Sequence, residues 1–131
     1  MPGCVLRVSG RDFEINSFLI GSSLGSCFIK PAKRLASRLT ERKKTTFNFD
    51  VSSADGDLHI EVADALLFLD RHHDELQQLR TLPGVEKLTL DFGCWQRDVP
   101  AYFSYLPAEL LARAGKLGLG IELSLYARET P

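Results

Sequence analysis

Residues Asp57 to Gly93, DLHIEVADALLFLDRHHDELQQLRTLPGVEKLTLDFG, decide the fold class. Val62, Ala65, Leu66, Leu69, His73, Leu76 and Leu79 recur at spacings of three and four, the period of one helix face. This spacing predicts one long helix from about Leu58 to Leu82, capped by Asp55 or Asp57. Glu61, Asp64, Asp70, Asp74 and Glu75 fall mostly outside the stripe. Arg71 and Glu75 form an i,i+4 pair. Pro83-Gly84 stops the helix. Leu88, Leu90 and Phe92 then alternate after Val85, as in a strand with one face buried. A helix, a tight turn and an alternating strand in this order place the chain in the α+β class.

Working outward, Val5 to Ser9 reads as a first strand ended by Gly10, and Phe13 to Ser22 as a short helix. Cys27 to Ile29 reads as a short strand. Thr45 to Ser52 is a half-buried strand, with Thr45, Phe47, Phe49 and Val51 on the core side and Thr46, Asn48, Asp50 and Ser52 on the other. Tyr102 to Leu106 is a candidate edge strand. Pro107 opens a helix over Ala108 to Lys116, and Ile121 to Tyr126 is the last strand. The first six elements follow the order β-α-β-β-α-β. That order predicts a ferredoxin-like (split βαβ) antiparallel sheet with helices packed on one face. A C-terminal αβ unit extends it, and residues 1–131 are expected to form a single α+β domain.

The chain has 131 residues, 44% of them hydrophobic, enough for one core without a disulfide or metal staple. Cys4, Cys27 and Cys94 are odd in number and widely spaced, so neither a disulfide framework nor a structural zinc site is expected. No apolar run reaches membrane-spanning length, and the first residues lack signal-peptide character. A cytoplasmic location is the expectation. The net charge of -1 hides an asymmetry: residues 1–50 hold 9 basic and 4 acidic side chains, residues 51–131 hold 7 and 13.

The segments VLRVSGRDF (5–13), ADGDL (54–58), LRTLPGVEKLTLDFG (79–93) and PAELLARAGKLGLGIELSLY (107–126) resemble a family of short uncharacterised bacterial α+β proteins. Some similar small bacterial domains act as immunity proteins, made beside toxins of interbacterial competition. The resemblance implies a protein-binding role and carries over no catalytic residue.

Several local patterns invite a chemical reading. Asp91-Phe92-Gly93 spells a kinase metal-binding motif, but no Gly-rich loop or catalytic loop accompanies it. His72 and His73 are adjacent and point about 100° apart on a helix, so they do not share a metal. Asp70 and His73 share a face. With Cys94 they form the weakest reading, a small hydrolase, while a packed His73 on the apolar stripe is the plainer one. Asp55-Gly56-Asp57 lacks the spaced ligands of a calcium loop and reads as a turn with a helix cap. The segment 30–44 is strongly basic, and KKTTFNFDV (43–51) brings two aromatics beside it. This offers a nucleic-acid-binding module using Arg34, Arg38, Lys43 and Lys44, less favoured because the overall balance is acidic. Trp, Tyr and Arg are enriched where proteins bind proteins. The loop residues Trp95, Arg97 and Asp98, with Tyr102 and Tyr105, are therefore the first candidate contact patch. Asp70, Asp74 and Glu75 are the second.

The sequence thus leads to a non-enzymatic domain, without cofactor or metal, that binds another protein as a monomer or homodimer. The concrete form is an immunity-type inhibitor of a toxin. A nucleic-acid-binding module is the alternative.

Overall fold

The computed structural model describes residues 2–30 and 44–128. In order they form β1 (Cys4–Arg11), α1 (Asn16–Leu19), a 3-10 turn (Ser23–Cys27), β2 (Phe28–Ile29), β3 (Lys44–Ser52), α2 (Leu58–Arg71), α3 (His73–Arg80), β4 (Val85–Trp95), α4 (Ala108–Lys116) and β5 (Leu119–Tyr126). The five strands make one sheet, ordered β2-β3-β1-β4-β5. β1 lies between β3 and β4 and is antiparallel to both. β5 runs parallel to β4, with Leu90 opposite Ile121 and Phe92 opposite Leu123.

The α+β class is as expected, but the sheet is mixed, not antiparallel, and its strand order is not a simple ferredoxin one. Two features account for the difference. The connection after β4, including α4, carries the chain back to the end where β4 began, so β5 must run parallel. The expected helix over 13–22 shortens to one turn, Asn16–Leu19, too short to cross a sheet. β2 is then only a two-residue strand beside β3. Tyr102–Leu106, expected as an edge strand, has no regular structure.

One face of the sheet is apolar and covered by helices. Cys4, Leu6 and Val8 of β1, Phe49 of β3, and Leu88, Leu90 and Phe92 of β4 are buried there. They share one core with Val62, Ala65 and Leu69 of α2, Leu76 and Leu79 of α3, and Leu110 and Ala114 of α4. Each fully buried Leu or Phe contributes about 1.5–3 kcal/mol. Phe47 and Phe49, expected on the core side and used for base stacking only in the alternative nucleic-acid reading, are engaged with other rings on that side. Phe47 meets Phe13 edge-on at 5.5 Å, and Phe49 meets Phe28 at 5.4 Å. A register shift between Cys4 and Val5 turns Ser52 inward instead of outward. Its hydroxyl donates to Asp64 at 2.7 Å.

The long helix is interrupted at His72, which has φ -112° and ψ 24°. His72, not His73, faces the core. From Leu69 to Leu76 both residues satisfy the three-and-four spacing, so the pattern alone does not choose. The choice comes from neighbours that the stripe omitted. Phe68 is buried and stacks 4.8 Å from the His72 ring, and Ser23 Oγ lies 2.7 Å from its Nδ1. Burial holds the His72 pKa below its ordinary value, against the pull of Glu75, so the packed ring is neutral at pH 7. After α3 the chain turns through Leu82-Pro83-Gly84-Val85. Gly84 has φ +94°, and the Val85 N–H donates to the Leu82 carbonyl at 3.1 Å. Pro then Gly is the residue order a type II turn requires.

Candidate functional site

A cleft of about 790 Å³ opens between the start of α2 and the segment that follows β4. One wall belongs to the Asp55-Gly56-Asp57 turn and the first turns of α2. Asp57 caps that helix, its side chain accepting from the Ile60 N–H at 3.3 Å. Val62 and Leu66 supply apolar floor, and Cys94 and Trp95 end β4 beside them. The other wall is Tyr102, Phe103, Ser104 and Tyr105, leading to Pro107 at the α4 cap.

Trp95 is held on three sides. Its indole N–H donates to the Asp55 carbonyl at 3.1 Å. Its ring edge lies against Gly56, whose φ of +88° and bare Cα both suit a glycine. The Arg128 guanidinium carbon lies over the ring, 4.6 Å from its centroid. A second guanidinium, that of Arg97, lies 5.4 Å from the Tyr102 centroid. Phe103 and Tyr105 are 94% and 78% exposed. Two large aromatics are thus open to water in the same cleft as Arg97 and Arg128.

Behind the cleft wall lies a residue that the sequence reading placed in solvent. Glu61 is 0% exposed, and neither carboxylate oxygen has a hydrogen-bond partner. Burial is the main cause that pushes its pKa up to about 7, and Asp57 and Asp91 add to it. The backbones of Gly56 and Gly93 act in the opposite direction. The Gly93 N–H is already committed to the Gly3 carbonyl at 2.8 Å, so it is not available as a full partner. The same burial, with Glu61 and Asp91 nearby, raises the Cys94 thiol pKa. Such a thiol stays protonated, the reverse of what a nucleophile needs.

The candidate residues from the sequence distribute unevenly. Trp95, Arg97, Tyr102 and Tyr105 line one cleft; Asp98 is exposed but not part of its wall. Asp70, Asp74 and Glu75 lie outside it. Asp70 accepts from Arg113 of α4 at 2.6 Å, and Asp74 is 3.4 Å from the exposed His73. The hydrolase reading required Asp70, His73 and Cys94 to converge in one pocket; Cys94 lines the cleft, whereas Asp70 and His73 do not and are engaged with Arg113 and Asp74. Arg34, Arg38 and Lys43 lie outside the described residues, and Lys44 opens β3. Asp91 of the Asp-Phe-Gly triplet accepts from Arg7 at 2.7 Å and from Ser124 at 2.6 Å, within the sheet.

Phe103, Arg128, Gly56 and Glu61 were not legible as site residues. An Asp-Gly-Asp turn signals a positive φ, but nothing local says that a tryptophan from β4 will rest on it. Arg128 meets its ring only because β5 runs parallel to β4 and brings Tyr126 opposite Trp95. Among the described residues there is no cluster of three metal-ligating side chains, and no helix is long and apolar enough to cross a membrane. No family model, no curated protein and no solved structure matches this chain.

Proposed function

We propose that this chain is a non-enzymatic protein-binding domain that seats a segment of another protein in the cleft between α2 and residues 94–107. The observation that carries the reading is the exposure of Phe103 and Tyr105 beside the anchored Trp95. A partner that covers these rings removes a large apolar area from water, at little conformational cost to Trp95, which is already fixed. The concrete form is an immunity-type inhibitor that occludes a bacterial toxin, in keeping with the resemblance of segments 5–13, 54–58, 79–93 and 107–126 to short bacterial α+β proteins. A cytoplasmic setting belongs to the same reading. Nucleic acid is the poorer occupant, since Phe49 is buried and Phe47 is partly buried against Phe13, so neither ring stands free on the sheet surface for a base.

A finer relation to the ferredoxin-like folds is also part of this proposal. It is supported by the unit β3–α2–α3–β4, whose two strands flank the antiparallel β1, a split βαβ arrangement.

Affinity capture with the tagged chain, with and without nuclease, tests the function. A stoichiometric protein partner that survives nuclease and is lost with Trp95→Ala supports the proposal. A partner retained in full by Trp95→Ala refutes the cleft as its seat.

A further inference from the structure

Five arginines of the described residues make contacts that bear on charge pairing, and they divide into two kinds. Arg7, Arg11 and Arg113 are paired with carboxylates. Arg97 and Arg128 are paired with aromatic rings and, among the described residues, with no carboxylate. Both line the cleft. Neither guanidinium donates to a carboxylate or carbonyl among the described residues, so the N–H donors stay open, in the fork that matches a carboxylate.

We propose that Arg97 and Arg128 receive the carboxylates of an acidic peptide segment, with apolar residues between the acids, presented by the partner protein. This rests on the cleft being the binding site, and it names the chemistry of what enters. The rings hold the arginines in place before binding. The Arg128 platform is itself anchored, since Trp95 is bonded to Asp55 and lies against Gly56. Ordering long cationic side chains is a large part of the cost of an ion pair, and here that cost is reduced in advance. Val62, Leu66 and the exposed Phe103 and Tyr105 offer apolar contact between the charges.

Charge also selects against a polyanion. Asp55 and Asp57 line the same cleft. A phosphodiester chain, charged at every unit, would meet both acids along with the two arginines. Separate carboxylates reach the arginines and leave the acidic wall to the apolar residues between them.

The test is fluorescence anisotropy with a fluorescein-labelled octapeptide of alternating Glu and Leu. Its Gln-Leu and Lys-Leu counterparts and a labelled oligothymidylate of similar length serve as comparisons. The expected result is that the Glu-Leu peptide binds at least tenfold more tightly than the other three. Its affinity should fall at least tenfold in Arg97→Gln/Arg128→Gln and with added salt. Both arginines are exposed, so the variant keeps its fold, which an unchanged thermal midpoint verifies. Equal binding of the Gln-Leu peptide, abolished by Trp95→Ala, would overturn the acidic preference and leave the cleft standing. Glu-Leu binding indifferent to Trp95→Ala and to both arginine changes would overturn the cleft as well. Absence of Glu-Leu binding, or tighter binding of the Lys-Leu peptide or the oligothymidylate, would overturn the proposal outright.

Discussion

The Trp95 indole rests on Gly56 so closely that a Cβ at residue 56 would come within 2.5 Å of Trp95 Cδ1. The contact joins the end of β4 to the turn that starts α2, and so fixes one end of the cleft. Gly56 is also at φ +88°, where side chains are strained. Gly56→Ala is therefore expected to destabilise the protein by about 1–3 kcal/mol and to displace the indole. Trp95 is the only tryptophan, so its emission reports the cleft directly. A red shift with a lowered thermal midpoint is the expected pair of readings. An unchanged emission maximum would show that the ring does not depend on this contact.

Glu61 makes stability depend on pH in a definite direction. Its folded-state pKa, about 7, lies above its ordinary value of 4.5. The folded protein therefore holds this proton more tightly than the unfolded chain does. The contribution is complete below about pH 4.5 and is lost as pH rises through 7. Glu61→Gln keeps the shape and removes the ionisation. Above pH 8 it is expected to be more stable than the parent by about 1–3 kcal/mol, the cost of an unsatisfied buried group. Below pH 5 the two should melt together. Denaturation midpoints across this range check it, and a flat difference with pH would count against a buried ionising Glu61.

His72 and His73 are neighbours with opposite surroundings. His72 is packed against Phe68 and bonded to Ser23, whereas His73 is exposed. His72→Ala is expected to cost about 2–4 kcal/mol, from the cavity and from the lost bond. His73→Ala should stay within about 0.5 kcal/mol. Chemical denaturation of the two variants decides the matter, and equal costs would mean that the stripe is centred on neither.

Arg7, Asp91 and Ser124 tie three adjacent strands together on the face away from the helices. Arg7 is partly exposed, so the ion pair is worth less than a fully buried one. Asp91→Ala removes two hydrogen bonds, those from Ser124 and Arg7, although Arg7 keeps Glu122 at 3.6 Å, for an expected loss of about 1–3 kcal/mol. Ser124→Ala should cost about 0.5–1.5 kcal/mol. Urea unfolding of both variants gives these values, and a neutral Asp91→Ala would place the network's weight elsewhere.

Phe103 and Tyr105 are expected to show the reverse profile. Exposed as they are, Phe103→Ala and Tyr105→Ala should change stability by less than about 0.5 kcal/mol. Partner affinity should nevertheless fall at least tenfold for one of them, by the usual concentration of binding energy in aromatic residues. Thermal melts and binding to the captured partner separate the two effects.

Most of residues 57–93 carried their own structure because the determinants are local, the break of the helix at His72 excepted. Asp57 caps α2, the apolar residues repeat at helix period, Pro83-Gly84 makes its turn, and Leu88, Leu90 and Phe92 alternate. Each depends on neighbours within a few residues, which a sequence displays. The same holds for the Ala108–Lys116 helix and for the strand containing Phe47 and Phe49. Strand order and direction do not follow from such signals. Whether β5 runs parallel to β4 depends on where a connection and its helix settle on the sheet. From that pairing come the meeting of Arg128 with Trp95 and the position of the cleft. Glu61 was misplaced for a related reason. A charged residue at the edge of an apolar stripe reads as solvated, and only the approach of the Gly56 and Gly93 backbones at the sheet end encloses it. Periodicity thus located most of the helices and strands, because it is set by local geometry, but not the break at His72, the single turn at Asn16–Leu19 or the irregular 102–106 segment. Tertiary structure alone decided which side chains meet at the cleft, because contacts between distant segments depend on how the whole sheet assembles.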